Sequence, residues 1–137
     1  MKKTPTSTLP SHDTTAIPHH IALIMDGNRR WAKMHGKNYI EGHYRGAECL
    51  SRITRFASLL GVKYLTVYAF STENWRRPKA EVDALMQLFA FYLEKEKERM
   101  IEEGIRVDSI GNIAALPQFV QQSLQSIREA TKNGHET

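Results

Sequence analysis

Two short apolar runs, each followed by a cluster of polar residues, set the pattern of this chain. The first run covers residues 21–25, and the second, which is rich in aromatic and β-branched residues, covers residues 64–70. Runs of this length, bounded by glycine and polar residues, predict β-strands, and the first is expected to be buried on both faces. A weaker alternation over residues 105–110, ended by Gly111 and Asn112, predicts a third strand.

Apolar residues at helical spacing follow each predicted strand. The first helix is expected to begin after His43 and to end before Gly61, and the basic segment 33–37 ahead of it is expected to be irregular. The second helix covers about residues 79–103, and the third begins after Pro117 and ends near residue 133. The resulting order, β-α-β-α-β-α, predicts an α/β fold with a parallel sheet and flanking helices. The apolar face of the first helix contains Leu50, Ile53, Ala57 and Leu60.

The second predicted helix carries an apolar stripe that is wider than a helix covering one sheet face requires. Two interpretations stay open: the stripe packs in the core, or part of it lines a pocket for a hydrocarbon tail. The C-terminal half of the helix, residues 94–99, is strongly charged and predicts an extension into solvent with i,i+4 ion pairs. The stripe consists of Val82, Leu85, Met86, Phe89, Tyr92 and Leu93, extended sideways by Leu88 and Phe91.

The composition is ordinary, but the charge narrows the class of ligand. The 137 residues are 41% hydrophobic and 25% charged, which is typical of one soluble globular domain. The net charge of +4 favours an anionic ligand without choosing among a diphosphate, a nucleic acid and a membrane surface. Neither a helix-turn-helix nor an aromatic RNA-binding strand is evident in the sequence, so nucleic acid is not the expected partner.

The N-terminal residues and the cysteine content bound the domain and its location. Residues 1–17 are rich in Thr, Ser and Pro without periodicity and predict a flexible leader, so residues 18–137 are assigned to part of a single domain. Cys49 is the only cysteine, which excludes an intrachain disulfide, and it is expected to be a small buried residue. No run approaches the ~20 apolar residues of a membrane span. A cytoplasmic location is therefore expected.

The two polar clusters carry the candidate chemistry. Residues 26–31 read DGNRRW and residues 71–78 read STENWRRP. In a parallel sheet both clusters lie at the carboxyl ends of neighbouring strands, where ligands bind. Asp26 can hold Mg²⁺, Gly27 lets the backbone approach a bulky anion, and arginines grip phosphate oxygens. Either cluster alone could be an ordinary loop with its charges in solvent, but four Arg, two Asn and Asp26 converging on one cleft indicate a diphosphate–Mg²⁺ ligand.

The segments HIALIMDGNRRWA and YAFSTENWRRP, with the region around His43, resemble the cis-prenyltransferases, the family of undecaprenyl diphosphate synthases and isoprenyl transferases. The similarity covers about residues 18–134. It implies a parallel sheet with surrounding helices, a homodimer, and a Mg²⁺-dependent enzyme that adds isopentenyl diphosphate repeatedly to an allylic diphosphate such as farnesyl diphosphate. The new double bonds are cis, the growing chain occupies an apolar tunnel, and the lipid product implies peripheral membrane contact. No Asp-Asp-x-x-Asp motif occurs, which argues against the trans-type prenyl synthases.

The same resemblance implies roles for individual residues. Asp26 matches the essential carboxylate for Mg²⁺ and diphosphate, and Ser71 and Asn74 match a pair that handles the proton lost from isopentenyl diphosphate. A neutral amide is a weak base, so Asn74 is expected mainly to orient that transfer. Glu81 matches a carboxylate that helps to order the second loop. Substrate contacts are implied for Gly27, Asn28, Arg29, Arg30, Trp31, Tyr39, His43, Ser71, Thr72, Glu73, Trp75 and Arg77, and the tunnel lining for Leu85, Met86, Leu88 and Phe89.

The sequence departs from the family pattern in two ways. Tyr39 stands where many members carry an arginine that reaches the diphosphate, and a tyrosine can donate one hydrogen bond but brings no positive charge. Family members are also considerably longer, and their later Arg-x-Ser region and second metal-binding glutamate have no counterpart in these 137 residues. We therefore expect the longer protein to be the enzyme and this chain alone to be inactive. A non-catalytic diphosphate-binding subunit is the alternative.

Overall fold

The computed structural model describes residues 16–137, so the flexible leader predicted for residues 1–17 lies almost entirely outside the described residues. Within this part of the chain, two parallel strands and four α-helices confirm the predicted α/β class. The elements are, in chain order, β1 (His20–Ile24), α1 (Asn28–Met34), α2 (Tyr39–Leu60), β2 (Tyr64–Tyr68), a 3₁₀ turn (Thr72–Arg76), α3 (Lys79–Glu102), a second 3₁₀ turn (Ile113–Ala115) and α4 (Gln118–Ala130).

Strands β1 and β2 pair in parallel, as the sequence predicts. His20 lies opposite Tyr64 and Ile24 lies opposite Tyr68, so both strands end at the same edge of the sheet. The expectation that β1 is buried on both faces is wrong. Every second residue of each strand is exposed, and Ile24 keeps 80% of its surface accessible, because side chains alternate between a half-buried face and an open one.

The third strand predicted at residues 105–110 is absent from the described part of the chain. Backbone N–H groups of this segment form hydrogen bonds outside any sheet. Arg106 donates to the carbonyl of Thr137 at 2.8 Å, and Val107 donates to the Thr131 hydroxyl at 2.9 Å. The alternating pattern instead reflects one-sided packing, since Ile105 is buried in the core while Ile110 is 95% exposed. The order of elements therefore differs from the predicted β-α-β-α-β-α.

Helix α2 begins earlier than predicted, and a further helix, α1, occupies residues that were expected to be irregular. The Asn38 side chain accepts the N–H of Ile40 at 3.1 Å, and the Glu41 carboxylate accepts the N–H of Asn38 at 3.1 Å. This reciprocal capping box satisfies backbone donors at the helix start. Consequently His43 lies in the second turn of α2 rather than ahead of the helix.

Helices α1 and α2 approach each other closely because α2 has glycines at the crossing point. A Cβ atom on the buried Gly42 would lie 2.1 Å from the carbonyl oxygen of Asn28. On Gly46, one turn later, it would lie 2.5 Å from the side-chain nitrogen of Asn28. These two glycines therefore fix where the first residue of α1 sits relative to α2.

The main core lies between α3 and α4 and contains Val82, Met86 and Leu93 of the predicted stripe, whereas Phe91 at the side of the stripe is exposed. Three smaller expectations are wrong: Ile53 and Cys49 of α2 are exposed, and Glu96 of the charged half of α3 is buried. Glu96 can be buried because the Ser51 hydroxyl donates to it at 2.9 Å and the Arg99 guanidinium pairs with it. The core consists of Val82, Met86, Leu93, Met100, Ile105, Val120, Leu124 and Ile127.

Candidate functional site

The turn between β1 and α1 presents a carboxylate at the open edge of the sheet. Gly27 adopts a left-handed conformation with φ of 87°, which only glycine takes without strain, and this lets α1 begin directly after the strand. The carboxylate of Asp26 accepts the Gly27 N–H at 2.7 Å and the Arg30 guanidinium at 3.0 Å. Its side chain is 79% exposed, so further oxygen or metal contacts remain accessible.

The turn after β2 is held by its own asparagine. The Asn74 side-chain oxygen accepts the Ser71 N–H at 2.9 Å, while the Asn74 N–H donates to the Ser71 carbonyl at 3.0 Å. These two hydrogen bonds between Ser71 and Asn74 close the 3₁₀ turn. In the same turn, the ring of Trp75 packs edge-on against Phe70, with ring centroids 4.8 Å apart. The side chain of Asn74 is therefore already oriented by the backbone.

Glu81, in the first turn of α3, joins three elements through one buried carboxylate. Its side chain is only 1% exposed. It accepts Arg29 of α1 at 3.2 Å and Arg77 of the loop after β2 at 3.3 Å, and the Nε2 atom of His43 in α2 lies 3.4 Å away. A buried carboxylate must be paired to be tolerated, and this pairing places two guanidinium groups side by side.

The surroundings of His43 keep its imidazole neutral near pH 7. Burial lowers the pKa of His43 below its usual 6.5, and the nearby cations of Arg77 and Arg29 lower this pKa further. The hydrogen bond and negative charge of Glu81 oppose the shift without overcoming it. At neutral pH the positive charge at this point is therefore carried by the arginines.

One cavity of about 640 Å³ brings most of the predicted site residues together. Its polar lining comes mainly from the turns after β1 and β2, and its apolar lining comes from α2 and α3 together with the ends of both strands. This volume is in the range of pockets for small organic ligands. Of the residues named from the sequence, the cavity is lined by Asp26, Gly27, Asn28, Arg29, Arg30, His43, Ser71, Asn74 and Arg77, and by Leu85, Met86, Leu88 and Phe89.

Several predicted residues lie outside the lining of this cavity. Trp31 stacks on His35 with ring centroids 4.4 Å apart, and Tyr39 packs beside Arg29 and His43. Thr72 and Glu73 are exposed in the 3₁₀ turn. Two further residues, Trp75 and Arg76, are also outside the lining, so three of the four arginines that were expected to converge do so.

The apolar half of the cavity includes residues that the sequence did not assign to it. Leu50 is predicted only as part of the apolar face of α2, and Ala47 gives no signal at all. Tyr92 and Leu93 belong to the stripe of α3 for which pocket lining is one of the two open interpretations. Burial also raises the pKa of the Tyr92 phenol to about 12, so its ring faces the cavity in the neutral form. The other missed positions, Gly42 and Gly46, had a readable signal in their i,i+4 spacing on an otherwise helical segment.

The carboxylates of the site determine how a metal ion could bind there. Among residues 16–137, no group of three or more His, Cys, Asp or Glu side chains could hold a metal by itself. Mg²⁺, however, is commonly bound by one or two carboxylates together with phosphate oxygens of a substrate. The exposed carboxylate of Asp26, in the same cavity lining as three arginines, fits that mode of binding. In the same described region no helix is both long and apolar enough to cross a bilayer.

Comparison with known proteins gives consistent results. A family model described as putative undecaprenyl diphosphate synthase matches residues 24–137. The chain is 50% identical over 117 residues to the ditrans,polycis-undecaprenyl-diphosphate synthase ((2E,6E)-farnesyl-diphosphate specific) of Micrococcus luteus, covering 85% of this chain and 47% of that protein. It is 48% identical over 116 residues to the isoprenyl transferase of Thermotoga maritima, covering 85% of this chain and 50% of the relative.

A solved structure is similar as well. The lavandulyl diphosphate synthase of Lavandula x intermedia, in complex with dimethylallyl diphosphate, superposes with a TM-score of 0.82 and 34% identity over 85% of this chain and 50% of that one. The chain thus spans about half the length of the relatives that it matches.

Proposed function

This chain belongs to the undecaprenyl diphosphate synthase family of prenyltransferases, and we propose that its cavity is the allylic-diphosphate site of a cis-prenyltransferase. The longer protein would condense isopentenyl diphosphate with an allylic diphosphate such as farnesyl diphosphate into a cis-polyprenyl diphosphate. One observation carries the proposal: a single cavity has arginines and an aspartate at one end and leucine and phenylalanine side chains at the other. An anionic head joined to a hydrocarbon tail is the ligand that matches both ends.

The proposed head-group contacts come from the side chains at the polar end. Arg29, Arg30 and Arg77 each carry several N–H donors in a planar fork that suits phosphate oxygens. Glu81 and Asp26 hold these arginines before the ligand arrives. When the diphosphate binds, it would replace part of this pairing, and the single N–H of the neutral His43 imidazole would be donated to a phosphate oxygen in place of Glu81.

Asp26 is the residue proposed to hold Mg²⁺, with phosphate oxygens completing the coordination. When bound, the ion would neutralise negative charge on the departing diphosphate. The arginines serve the same purpose, because charge that develops on a leaving group is stabilised most by donors already in place. Asp26 must give up its ion pair with Arg30 for this role, which the high exposure of both side chains permits.

The chemical step would break the bond between the allylic carbon and the diphosphate oxygen, form a carbon–carbon bond to isopentenyl diphosphate, and release a proton. The apolar wall excludes water from the electron-deficient carbon. Asn74, whose side-chain oxygen is held by the Ser71 N–H, is proposed to orient the second substrate, with a diphosphate oxygen as the proton acceptor. Leu85, Leu88 and Phe89 would line the path of the growing chain.

Properties of the longer protein follow as further proposals. We propose that it is a homodimer in the cytoplasm and that it touches the membrane peripherally through its lipid product. We also propose that the 137-residue chain alone does not turn over, because it spans about half the length of its relatives. That same observation favours a second candidate, a non-catalytic diphosphate-binding subunit that regains activity with a partner chain.

A ligand series separates the two halves of the proposal. Isothermal titration with Mg²⁺ should rank farnesyl diphosphate above dimethylallyl diphosphate, because each buried CH₂ contributes about 0.8 kcal/mol. Both should bind more tightly than farnesol, which lacks the charged head. Arg77→Ala should weaken all diphosphates, while Arg45→Ala, which pairs with Glu48 on the exposed side of α2, should leave the ranking and affinities unchanged. Equal affinity for farnesol and farnesyl diphosphate would refute the head-group site.

Activity is tested separately, with radiolabelled isopentenyl diphosphate, farnesyl diphosphate and Mg²⁺. The longer protein should form polyprenyl diphosphate and the 137-residue chain should not. Long-chain product from the purified chain would contradict the second expectation. Product that appears only after a partner chain is added would favour the subunit alternative.

A further inference from the structure

Tyr39 packs against two side chains of the cavity without lining the cavity itself. Its ring centroid is 5.7 Å from the guanidinium carbon of Arg29, within the range of a cation–π contact. On another side, the ring meets the His43 imidazole edge-on, with centroids 6.4 Å apart. Tyr39 is half-buried at the start of α2, so its ring is held by the helix and by a neighbour rather than by solvent.

Arg29 is the cavity-lining arginine that the Tyr39 ring contacts. It lines the cavity, yet its side chain is 64% exposed, and Glu81 engages it through Nη1 at 3.2 Å. A guanidinium with one carboxylate contact keeps several donors and much rotational freedom. The Tyr39 ring, 5.7 Å from the guanidinium carbon, restricts that freedom without using any N–H donor. The free donors then stay directed at the cavity.

We propose that Tyr39 is a positioning residue: its ring, and not its hydroxyl, holds the Arg29 guanidinium in place for a diphosphate. This rests on the proposed function, because it takes the polar end of the cavity as the diphosphate site. In this arrangement Arg29 supplies the positive charge for the diphosphate, and the Tyr39 ring serves as a platform, that is, an uncharged surface against which the Arg29 guanidinium packs. The hydroxyl of Tyr39 makes no necessary contact with the ligand in this arrangement.

The test compares two substitutions that differ in the ring. Titration of the 137-residue chain with Mg²⁺ and inorganic diphosphate should give an affinity about two- to fivefold weaker for Tyr39→Ala, as expected for loss of an exposed cation–π contact. Tyr39→Phe, which keeps the ring, should bind with the affinity of the unsubstituted protein. In an Arg29→Gln background, Tyr39→Ala should cause no additional loss, because the platform then has no cation to hold.

A second measurement reports on the contact directly. In nuclear magnetic resonance spectra, the ring current of residue 39 should shift the Arg29 Nε–H proton in the unsubstituted protein and in Tyr39→Phe, and the shift should disappear in Tyr39→Ala. This readout does not depend on ligand binding, and unchanged shifts elsewhere in α2 would exclude general unfolding of the variant.

Three results would overturn the role of Tyr39. An equal loss of affinity in Tyr39→Phe and Tyr39→Ala would assign the effect to the hydroxyl. An undiminished loss in the Arg29→Gln background would show that Tyr39 acts independently of Arg29. Unchanged affinity in Tyr39→Ala would show that the platform is not needed. Failure of the unsubstituted protein to bind diphosphate is a different outcome, since it refutes the proposed function from which this inference starts.

Discussion

At the polar end of the cavity, individual side chains are held by one another before any ligand is present. The buried carboxylate of Glu81 accepts Arg29 and Arg77 from two other elements and faces His43 from a third. The sequence predicted that cations of the two polar clusters would meet, because both clusters follow parallel strands, but Arg76 lies outside the cavity lining. The sequence also placed Glu81 in the first turn of α3, and the resemblance to cis-prenyltransferases placed it beside the loop after β2. Its complete burial between three elements could not be predicted, since burial depends on how α1, α2 and α3 pack.

Replacing the buried carboxylate with its neutral isostere tests this arrangement. Glu81→Gln should lower the free energy of unfolding by about 2 kcal/mol, because hydrogen bonds to charged groups are lost while the arginines can still reach water. Urea denaturation measures the change. Glu98→Gln, an exposed glutamate on the same helix, serves as the control and should change stability by less than about 0.5 kcal/mol. Equal effects from the two substitutions would contradict the central place given to Glu81.

The lowered pKa of His43 predicts a pH dependence with a definite sign. The folded protein binds a proton at this imidazole less readily than the unfolded chain, whose pKa is the usual 6.5. Stability contributed by neutral His43 is therefore complete above pH 6.5 and is lost as the pH falls from 6.5 through the lower folded-state value. As the pH falls through this window, the free energy of unfolding should decline less steeply for His43→Gln than for the unsubstituted protein. An imidazole resonance that titrates above 6.5 would contradict the assignment.

Among the elements, those with an explicit local signal were predicted and those without one were not. The parallel strands and α3 and α4 follow from apolar runs, helical spacing and the prolines before each helix. The early start of α2 has a local signal in the capping pair Asn38 and Glu41, which apolar spacing alone does not reveal. The third strand was wrong for a different reason: alternation at residues 105–110 records which side chains face the core, and a strand also needs a neighbour to pair with.

The crossing of α1 and α2 can be tested by adding a Cβ atom at Gly42. Replacing a glycine in a helix with alanine ordinarily stabilises the helix by about 1 kcal/mol. At Gly42 the sign should reverse, with a loss of about 2 kcal/mol, because the added Cβ would overlap the Asn28 carbonyl oxygen. Diphosphate affinity should fall as well, since Asn28 and Arg29 begin the displaced helix. The measurement is thermal and urea unfolding beside the titration.

Cys49→Ala on the exposed side of α2 is the matched control for this substitution. It should change stability by less than about 0.5 kcal/mol and leave the affinity alone. A Gly42→Ala protein as stable as the unsubstituted one would mean that the two helices are not in close contact.

For the whole molecule, the convergence of two loops on one sheet edge follows from the sequence once the strands are parallel. The apolar half of the cavity does not, because it depends on which side of α3 faces α2. That helix serves two purposes at once: Val82 and Met100 pack in the core with α4, while Leu85 and Phe89 face the cavity. The wide stripe therefore contributes both to the core and to the cavity lining, and Met86 and Leu93 belong to both. Whether the cavity holds a hydrocarbon tail stays a prediction.

The account depends on a diphosphate head and a hydrocarbon tail occupying opposite ends of this one cavity. The most direct test is a crystal structure of the protein with Mg²⁺ and farnesyl thiodiphosphate, an analogue that resists cleavage. We predict that the diphosphate lies between Gly27 and Arg77, with Asp26 at the metal and the tail running along Leu85 and Phe89. A ligand bound elsewhere, or one whose tail points from the sheet edge into solvent, would contradict the account.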